Sequence, residues 1–304
     1  MDDIRKEIAR LKKEKNAVIL CHTYQPGEIQ DIADFVGDSY GLSVQATKVD
    51  TADIIIFAGV TFMAETAAML SPQKKVIMPV PEAGCPMADM VTPEELQPFK
   101  DKHPDFLVMC YVNSTAAIKA MSDICCTSSN ALKIAQQIPA ERGIIFVPDR
   151  HLGSWVQEQT GHTMALWDGF CPTHVRITPE LVHAAKKEHP SATVLMHPEA
   201  PKASRDLADA ILSTAGICTY VKEHPPADYI IATETGIIHT LKTQNPESSF
   251  YPVSNEIICP NMKKGSLESL YQALDGISGV QVTVPEEIAE KAVGALEKML
   301  EMSK

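Results

Sequence analysis

Cysteine is followed by proline three times in this chain, at Cys85-Pro86, Cys171-Pro172 and Cys259-Pro260, and the pairs stand 86 and 88 residues apart. With 8 Cys and 21 Pro among 304 residues, random order gives only about 0.5 such pairs. Three in near-equal spacing mark an internal repeat, which limits the fold to one built from three copies of a single unit. Seven residues past each cysteine a helix start recurs, in "TPEELQPFKDKHP" from Thr92, "TPELVHAAKKEHP" from Thr178 and "SLESLYQAL" from Ser266. A leading hydroxyl with acids in the first turn is the pattern of a capped helix. The stretches before the cysteines keep the same phase. "AVILCHTYQPGEIQDIADFVGDS", "FLVMCYVNSTAAIKAMSDICCTS" and "TVLMHPEAPKASRDLADAILST" each read as an apolar strand, a polar turn and a helix. Each is followed by a second strand, "ADIIIFAG", "GIIFVPD" and "ADYIIATE", apolar enough to be buried on both faces.

Strands alternating with helices predict parallel sheets with helices outside and right-handed connections. The expected fold class is therefore α/β: three homologous α/β/α sandwich domains with short parallel sheets about a pseudo-threefold axis. The expected limits are 16–104, 105–191 and 192–285. An N-terminal helix in 1–15 (Ile4, Ile8, Leu11) and a C-terminal helix in 286–304 (Ile288, Ala292, Val293, Leu296, Leu300) have one-sided apolar spacing and pack outside. A net charge of -12 argues against nucleic acid or an anionic membrane as the main partner. The charged N-terminus, with an apolar run only from Ala17 to Cys21, is too short for a signal or a span. A cytoplasmic protein is expected, and in a reducing compartment its cysteines are free thiols, ligands or catalytic groups rather than disulfides.

Closure of three units around one axis brings equivalent residues together, so Cys85, Cys171 and Cys259 form a three-thiolate site. Zinc with an open position and an iron–sulfur cluster both suit such donors, and cysteines simply buried in turns are the alternative to either. The lack of a Cys-x-x-Cys pair favours a [4Fe-4S] cluster with one iron left open as a Lewis acid. Cys21, Cys110, Cys125, Cys126 and Cys218 are read as packing, with Cys125-Cys126 in a helix. The first strand of each repeat delivers a polar pair at its carboxyl end, where α/β sheets bind ligands: His22 and Tyr24, Tyr111 and Asn113, His197 and Glu199. Two residues apart on extended chain, each pair points one way. Ser39, Ser128 and Thr214 fall at helix starts, suited to a carboxylate or phosphate, or to plain capping. His174, three residues past Cys171, has no histidine counterpart in the other repeats and is the lesser candidate.

The ordered set "CHTYQ", "GDS", "GVTFMAETA", "CYVNS", "CTSSNA", "PDRHLG", "WDGFCPTH", "HPEA", "ST" and "ATETG", with the three cysteines, resembles the iron–sulfur quinolinate synthase A family over nearly the whole chain. The resemblance implies condensation of iminoaspartate with dihydroxyacetone phosphate to quinolinate, with loss of phosphate and water, in NAD biosynthesis. It implies one oxygen-sensitive [4Fe-4S] cluster on Cys85, Cys171 and Cys259. It implies a substrate site of His22, Ser39, Tyr111, Asn113, Ser128, His197, Glu199 and Thr214, with Tyr24 on a lid-like segment. On this reading Glu199 is the main general base, His197 orients or protonates, and Tyr24 and His22 act from the other side. Iminoaspartate arrives from solution or by transient supply from an enzyme that produces it. Some longer members carry a Cys-x-x-Cys-x-x-Cys near the C-terminus, and "LEKMLEMSK" has none. The competing classes are another iron–sulfur hydro-lyase, a zinc hydrolase and a metal-binding scaffold without catalysis.

Overall fold

The computed structural model describes residues 2–304. Helix α1 (Asp2–Glu14) leads into the first unit, which runs β1 (Ala17–His22), α2 (Gly27–Gln30), β2 (Phe35–Gly37), α3 (Ser39–Lys48), β3 (Ile54–Ala58), α4 (Thr61–Leu70), β4 (Lys75–Met78) and α5 (Pro93–Asp101). The second runs β5 (Leu107–Tyr111), α6 (Ala116–Ala120), β6 (Ile124–Cys126), α7 (Ala131–Ala135), β7 (Ile144–Val147), α8 (Arg150–Thr160), β8 (Met164–Leu166) and α9 (Pro179–Glu188). The third runs β9 (Thr193–Met196), α10 (Lys202–Arg205), β10 (Ala210–Ile211), α11 (Thr214–Glu223), β11 (Asp228–Ala232), α12 (Ile237–Gln244), β12 (Ser249–Pro252) and α13 (Leu267–Asp275). Strand β13 (Val280–Gln281) and helix α14 (Glu286–Met302) complete the chain. No described helix is long and apolar enough to cross a membrane.

Three sheets result, each with four parallel strands in one order. In each, the unit's first strand is central, its second lies at one edge, and its third and fourth follow on the other side. The registers repeat as well: Leu20 faces Phe35, Met109 faces Ile124 and Leu195 faces Ala210, fifteen residues on in every case. A carboxylate fixes that step in each unit. Asp34, Asp123 and Asp209 accept the backbone N–H of Ile19, Val108 and Val194, all at 2.7 Å. With the chain moving first to one side of the central strand and then to the other, the switch point lies between the first and third strands, and a crevice opens at their carboxyl ends.

The second strand of each unit is absent from the sequence reading, which runs turn and helix together. The short α2, α6 and α10 are separate from α3, α7 and α11, and an edge strand of two or three residues lies between. Segments that short show no hydrophobic period. For the same reason Cys125 and Cys126 lie in strand β6 rather than in a helix, with Cys125 beside Cys110 of β5.

The capped helices after the cysteines form as expected, with Thr92, Thr178 and Ser266 accepting from the N–H three residues on. Their packing runs in a cycle. Helix α5 lies against α6 of the second unit, α9 against α10 and β11 of the third, and α13 against α1 and β3 of the first. Residues Val280 and Gln281, within the span that repeat spacing gives to the third unit, add an antiparallel strand to the first sheet beside β4. Helix α14 then packs on α6, β6 and α4, burying Ala292, Ala295, Leu296 and Met299.

Candidate active site

At the carboxyl ends of β1, β5 and β9 the chain leaves the sheet in a tight turn. Gln25 N–H donates to His22 O at 2.9 Å and Ala200 N–H to His197 O at 3.0 Å. The two members of a pair are therefore brought to one side by a turn and not by extended backbone. The turn also fixes the imidazoles. His22 Nδ1 accepts from Tyr24 N–H at 3.1 Å and His197 Nδ1 from Glu199 N–H at 3.3 Å, which leaves the ring proton on Nε2. Burial lowers both histidines to about 3, so they are neutral donors. His197 Nε2 lies 3.2 Å from Ser128 Oγ.

All twelve residues named from the sequence line one cavity, with contributions from every unit: His22, Tyr24, Ser39 and Cys85; Tyr111, Asn113, Ser128 and Cys171; His197, Glu199, Thr214 and Cys259. It holds about 870 Å³ of atom-free space, counting the part open to solvent. No lysine or arginine among the described residues lines it. Asn113 Oδ1 is buried there without a hydrogen-bond partner. Ser39 and Thr214 are the first residues of α3 and α11, but the caps are their predecessors. Asp38 accepts from Gly41 N–H at 2.8 Å and Ser213 from Gly216 N–H at 3.0 Å. Ser128 stands in the turn before α7, whose cap is Asn130. The hydroxyls of Ser39 and Thr214 are thus released from capping.

The residue that sequence reasoning ranked low is central. His174 is 3% exposed, with Nδ1 2.7 Å from Glu199 Oε2 and 3.2 Å from Cys171 Sγ, and Nε2 2.7 Å from Thr233 Oγ1. The line extends both ways. Tyr111 OH donates to Glu199 Oε1 at 2.5 Å, and Tyr24 OH lies 2.7 Å from both Thr233 Oγ1 and Thr214 Oγ1. Tyr24 is 7% exposed, and its carbonyl accepts from Lys263 Nζ. Burial opposes charge on Glu199, but His174 beside it and the Tyr111 hydroxyl, both hydrogen-bonded to the carboxyl, outweigh burial and hold it below the ordinary range. Burial raises the phenols of Tyr24 and Tyr111 well above theirs. Ionised base and neutral acids thus share one hydrogen-bonded line.

At the other end lie the cysteines, each opening a short turn after its sheet. Cys171 N–H donates to Asp149 Oδ2 and Cys259 N–H to Glu234 Oε1, both at 3.1 Å. The same carboxylates accept from Leu152 and Gly236 N–H at 2.7 Å. Val60 holds the matching place in the first unit. Asp149 and Glu234 were missed from the sequence, although both follow a third strand in phase, in "PDRHLG" and "ATETG". Burial lifts the Cys85 thiol to about 12 and raises Cys171 and Cys259 too. Half-buried thiols near Glu199, with no lysine or arginine among the described lining residues, suit a cationic metal group, which would supply the missing charge and deprotonate its ligands. Among the described residues, the one set of three donors with all atoms within 4.8 Å is Cys171, His174 and Glu199. The three cysteines are spread more widely, as ligands to separate irons are, whereas one zinc ion would need them closer.

The model for the family described as "Quinolinate synthetase A protein" matches residues 6–301. The "Quinolinate synthase" of Dehalococcoides mccartyi (strain CBDB1) is 50% identical over 297 residues, 98% of this chain and 97% of that one. That of Geotalea uraniireducens is 49% identical over 299 residues, covering 98% and 97%. The "Quinolinate synthase 2" of Methanosarcina acetivorans is 49% identical over 300 residues, covering 99% and 96%. A match that takes in all three sheets and every residue lining the cavity leaves no part of the repeat outside it: the chain belongs to the quinolinate synthetase A family.

Proposed function

We propose that this chain is a cytoplasmic quinolinate synthase that joins iminoaspartate to dihydroxyacetone phosphate within the cavity shared by its three units. The observation that carries the reading is the hydrogen-bonded line from Tyr111 through Glu199, His174 and Thr233 to Tyr24, beside the three cysteines. Cys85, Cys171 and Cys259 would hold one [4Fe-4S] cluster. When bound, the cluster supplies a Lewis acid at an iron without a protein ligand.

The protein's own groups account for binding and proton movement. Glu199, ionised and 2% exposed, is the general base. Because Glu199 is ionised, His174 Nδ1 carries the proton of their 2.7 Å contact, and His174 Nε2 accepts from Thr233 Oγ1, which links the base by hydrogen bonds to Tyr24 OH on the opposite wall. Neutral donors hold the anionic substrates: the Nε2–H of His22 and His197, the hydroxyls of Ser39, Ser128 and Thr214, and the Asn113 amide. No lysine or arginine among the described residues lines the cavity, so the phosphate formed would meet no fixed cation from them. Iminoaspartate is short-lived in water, which favours transient delivery from the enzyme that makes it.

The test is anaerobic protein supplied with both substrates, with quinolinate read by mass. Glu199→Gln should keep its iron and sulfide and lose turnover by about 100-fold or more. Quinolinate formation at the parent rate by that variant would remove Glu199 from the role of base, and no quinolinate from the cluster-loaded parent would overturn the assignment.

A further inference from the structure

Three buried side chains of different chemistry stand at one position of the repeat. Gln30, Lys119 and Arg205 lie 89 and 86 residues apart, in the last turns of α2, α6 and α10, and none is more than 6% exposed. Each reaches back to the turn of its own unit that carries the polar pair. Gln30 Nε2 donates to Thr23 O and Gln25 O, both at 2.8 Å. Lys119 Nζ donates to Ser114 O at 2.7 Å, the place matching Gln25. Arg205 Nη1 donates to Pro198 O at 3.2 Å, the place matching Thr23.

Each also reaches out to a neighbouring unit, always to the same position there. Gln30 Nε2 donates to Gly236 O at 3.1 Å, Lys119 Nζ to Phe62 O at 3.4 Å and Arg205 Nη1 to His151 O at 2.5 Å. These acceptors are 89 and 85 residues apart and lie at the N-terminal ends of α4, α8 and α12, Gly236 as the residue just before the last. Unit one thus grips unit three, unit two grips unit one, and unit three grips unit two. Secondary contacts reinforce two of the three: Thr240 Oγ1 donates to Gln30 Oε1 at 2.6 Å, and Arg205 Nη2 donates to Glu158 Oε1 at 3.0 Å.

Burying an ammonium and a guanidinium is costly, and apolar packing of the same volume would cost less. What the amide, the ammonium and the guanidinium have in common is the ability to donate to two carbonyls at once. One of those carbonyls always lies within or next to a pair that lines the cavity.

We propose that Gln30, Lys119 and Arg205 are positioning residues for the reaction: each clamps the turn bearing one polar pair to the neighbouring unit, so that three pairs on three sheets face one substrate. The proposal rests on the functional reading for its kinetic consequence, but the clamp itself is a statement about backbone. A displacement of such a turn by about 1 Å is enough to cost up to 100-fold in turnover.

The experiment uses cluster-loaded protein carrying Gln30→Met, Lys119→Met, Lys119→Arg or Arg205→Lys. The expected result for the two methionine variants is kcat lower by about 10- to 100-fold with KM within about threefold and iron and sulfide as in the parent. Lys119→Arg, which restores a two-carbonyl donor, should recover most of the loss. Amide hydrogen exchange, read without turnover, should rise in residues 112–114 for Lys119→Met and in residues 23–25 for Gln30→Met, with the other turns unchanged, and Arg205→Lys, which keeps a two-carbonyl donor, should leave residues 199–200 as in the parent. The proposal is overturned by parent-like kcat in both methionine variants, by a loss that merely follows lost iron, or by exchange rising equally in all three turns. If the parent makes no quinolinate the functional reading fails, and the exchange pattern still decides the clamp.

Discussion

The two ends of the cavity are built on opposite plans. At the cysteine end every unit supplies the same group, a cysteine opening a turn before proline. At the other end the units supply His22 and Tyr24, Tyr111 and Asn113, and His197 and Glu199, and no two pairs are alike. Identical donors suit a ligand that is itself symmetric, such as a cluster with three equivalent irons. Unlike donors suit ligands with an imine nitrogen, carboxylates and a phosphate in different places. A scaffold of three repeated sheets can serve both only if one end keeps the repeat and the other departs from it.

The largest effect should come from breaking the symmetric end. Cys85→Ala, Cys171→Ala and Cys259→Ala should each bring iron and sulfide down to background after anaerobic purification and abolish quinolinate formation. If the cysteine end is symmetric, the three variants will be indistinguishable. A variant that retains a full cluster would show that its cysteine is not a ligand and that the ends differ less than their sequences suggest.

Much of this architecture was legible in the chain because the repeat made weak signals additive. A single Cys-Pro or His-x-Tyr carries little, but three in phase gave the α/β units, the caps at Thr92, Thr178 and Ser266, and the twelve residues that line the cavity. The same reliance on phase hid what occurs once. His174 has no counterpart in the other units, so its contacts with Glu199 and Thr233 had no repeat to announce them. Asp149 and Glu234 occur twice, with Val60 in the third place, and differ in length, so they escaped too. The edge strands β2, β6 and β10 were lost for a different reason, since two or three residues are too few for periodicity. Gln30, Lys119 and Arg205 share a position but no chemistry, and only their common acceptors reveal the relation.

A smaller effect should expose an asymmetry behind the symmetric end. The Cys171 and Cys259 turns are held through the buried carboxyl groups of Asp149 and Glu234, whereas the Cys85 turn has no side chain in that place and is held by backbone, with Ala88 N–H donating to Cys85 O at 2.9 Å. Supporting groups of this kind are typically worth about 10- to 100-fold in metal retention. Asp149→Ala and Glu234→Ala should therefore lose iron to a chelator faster than the parent by about that factor, and Val60→Ala should not. Equal rates for all three variants would mean that the carboxylates do nothing for the turns they hold.

The smallest effect concerns pH and sits at the unlike end. His22 and His197 titrate at about 3 in the folded chain, against 6.5 when free, because burial penalises their charged form. Between those values the unfolded chain binds protons that the folded chain refuses. Stability is therefore full above about 6.5 and falls as pH drops toward 3, by on the order of 2 kcal/mol per histidine at pH 5. The matching position of the second unit is Tyr111, which remains neutral across that range and contributes nothing to the slope. Thermal midpoints measured from pH 7 to pH 5 should fall, and fall less for His22→Tyr, which gives the first unit the side chain that the second already has. An unchanged slope in that variant would place the acid sensitivity elsewhere and leave the two kinds of unit equivalent in this respect.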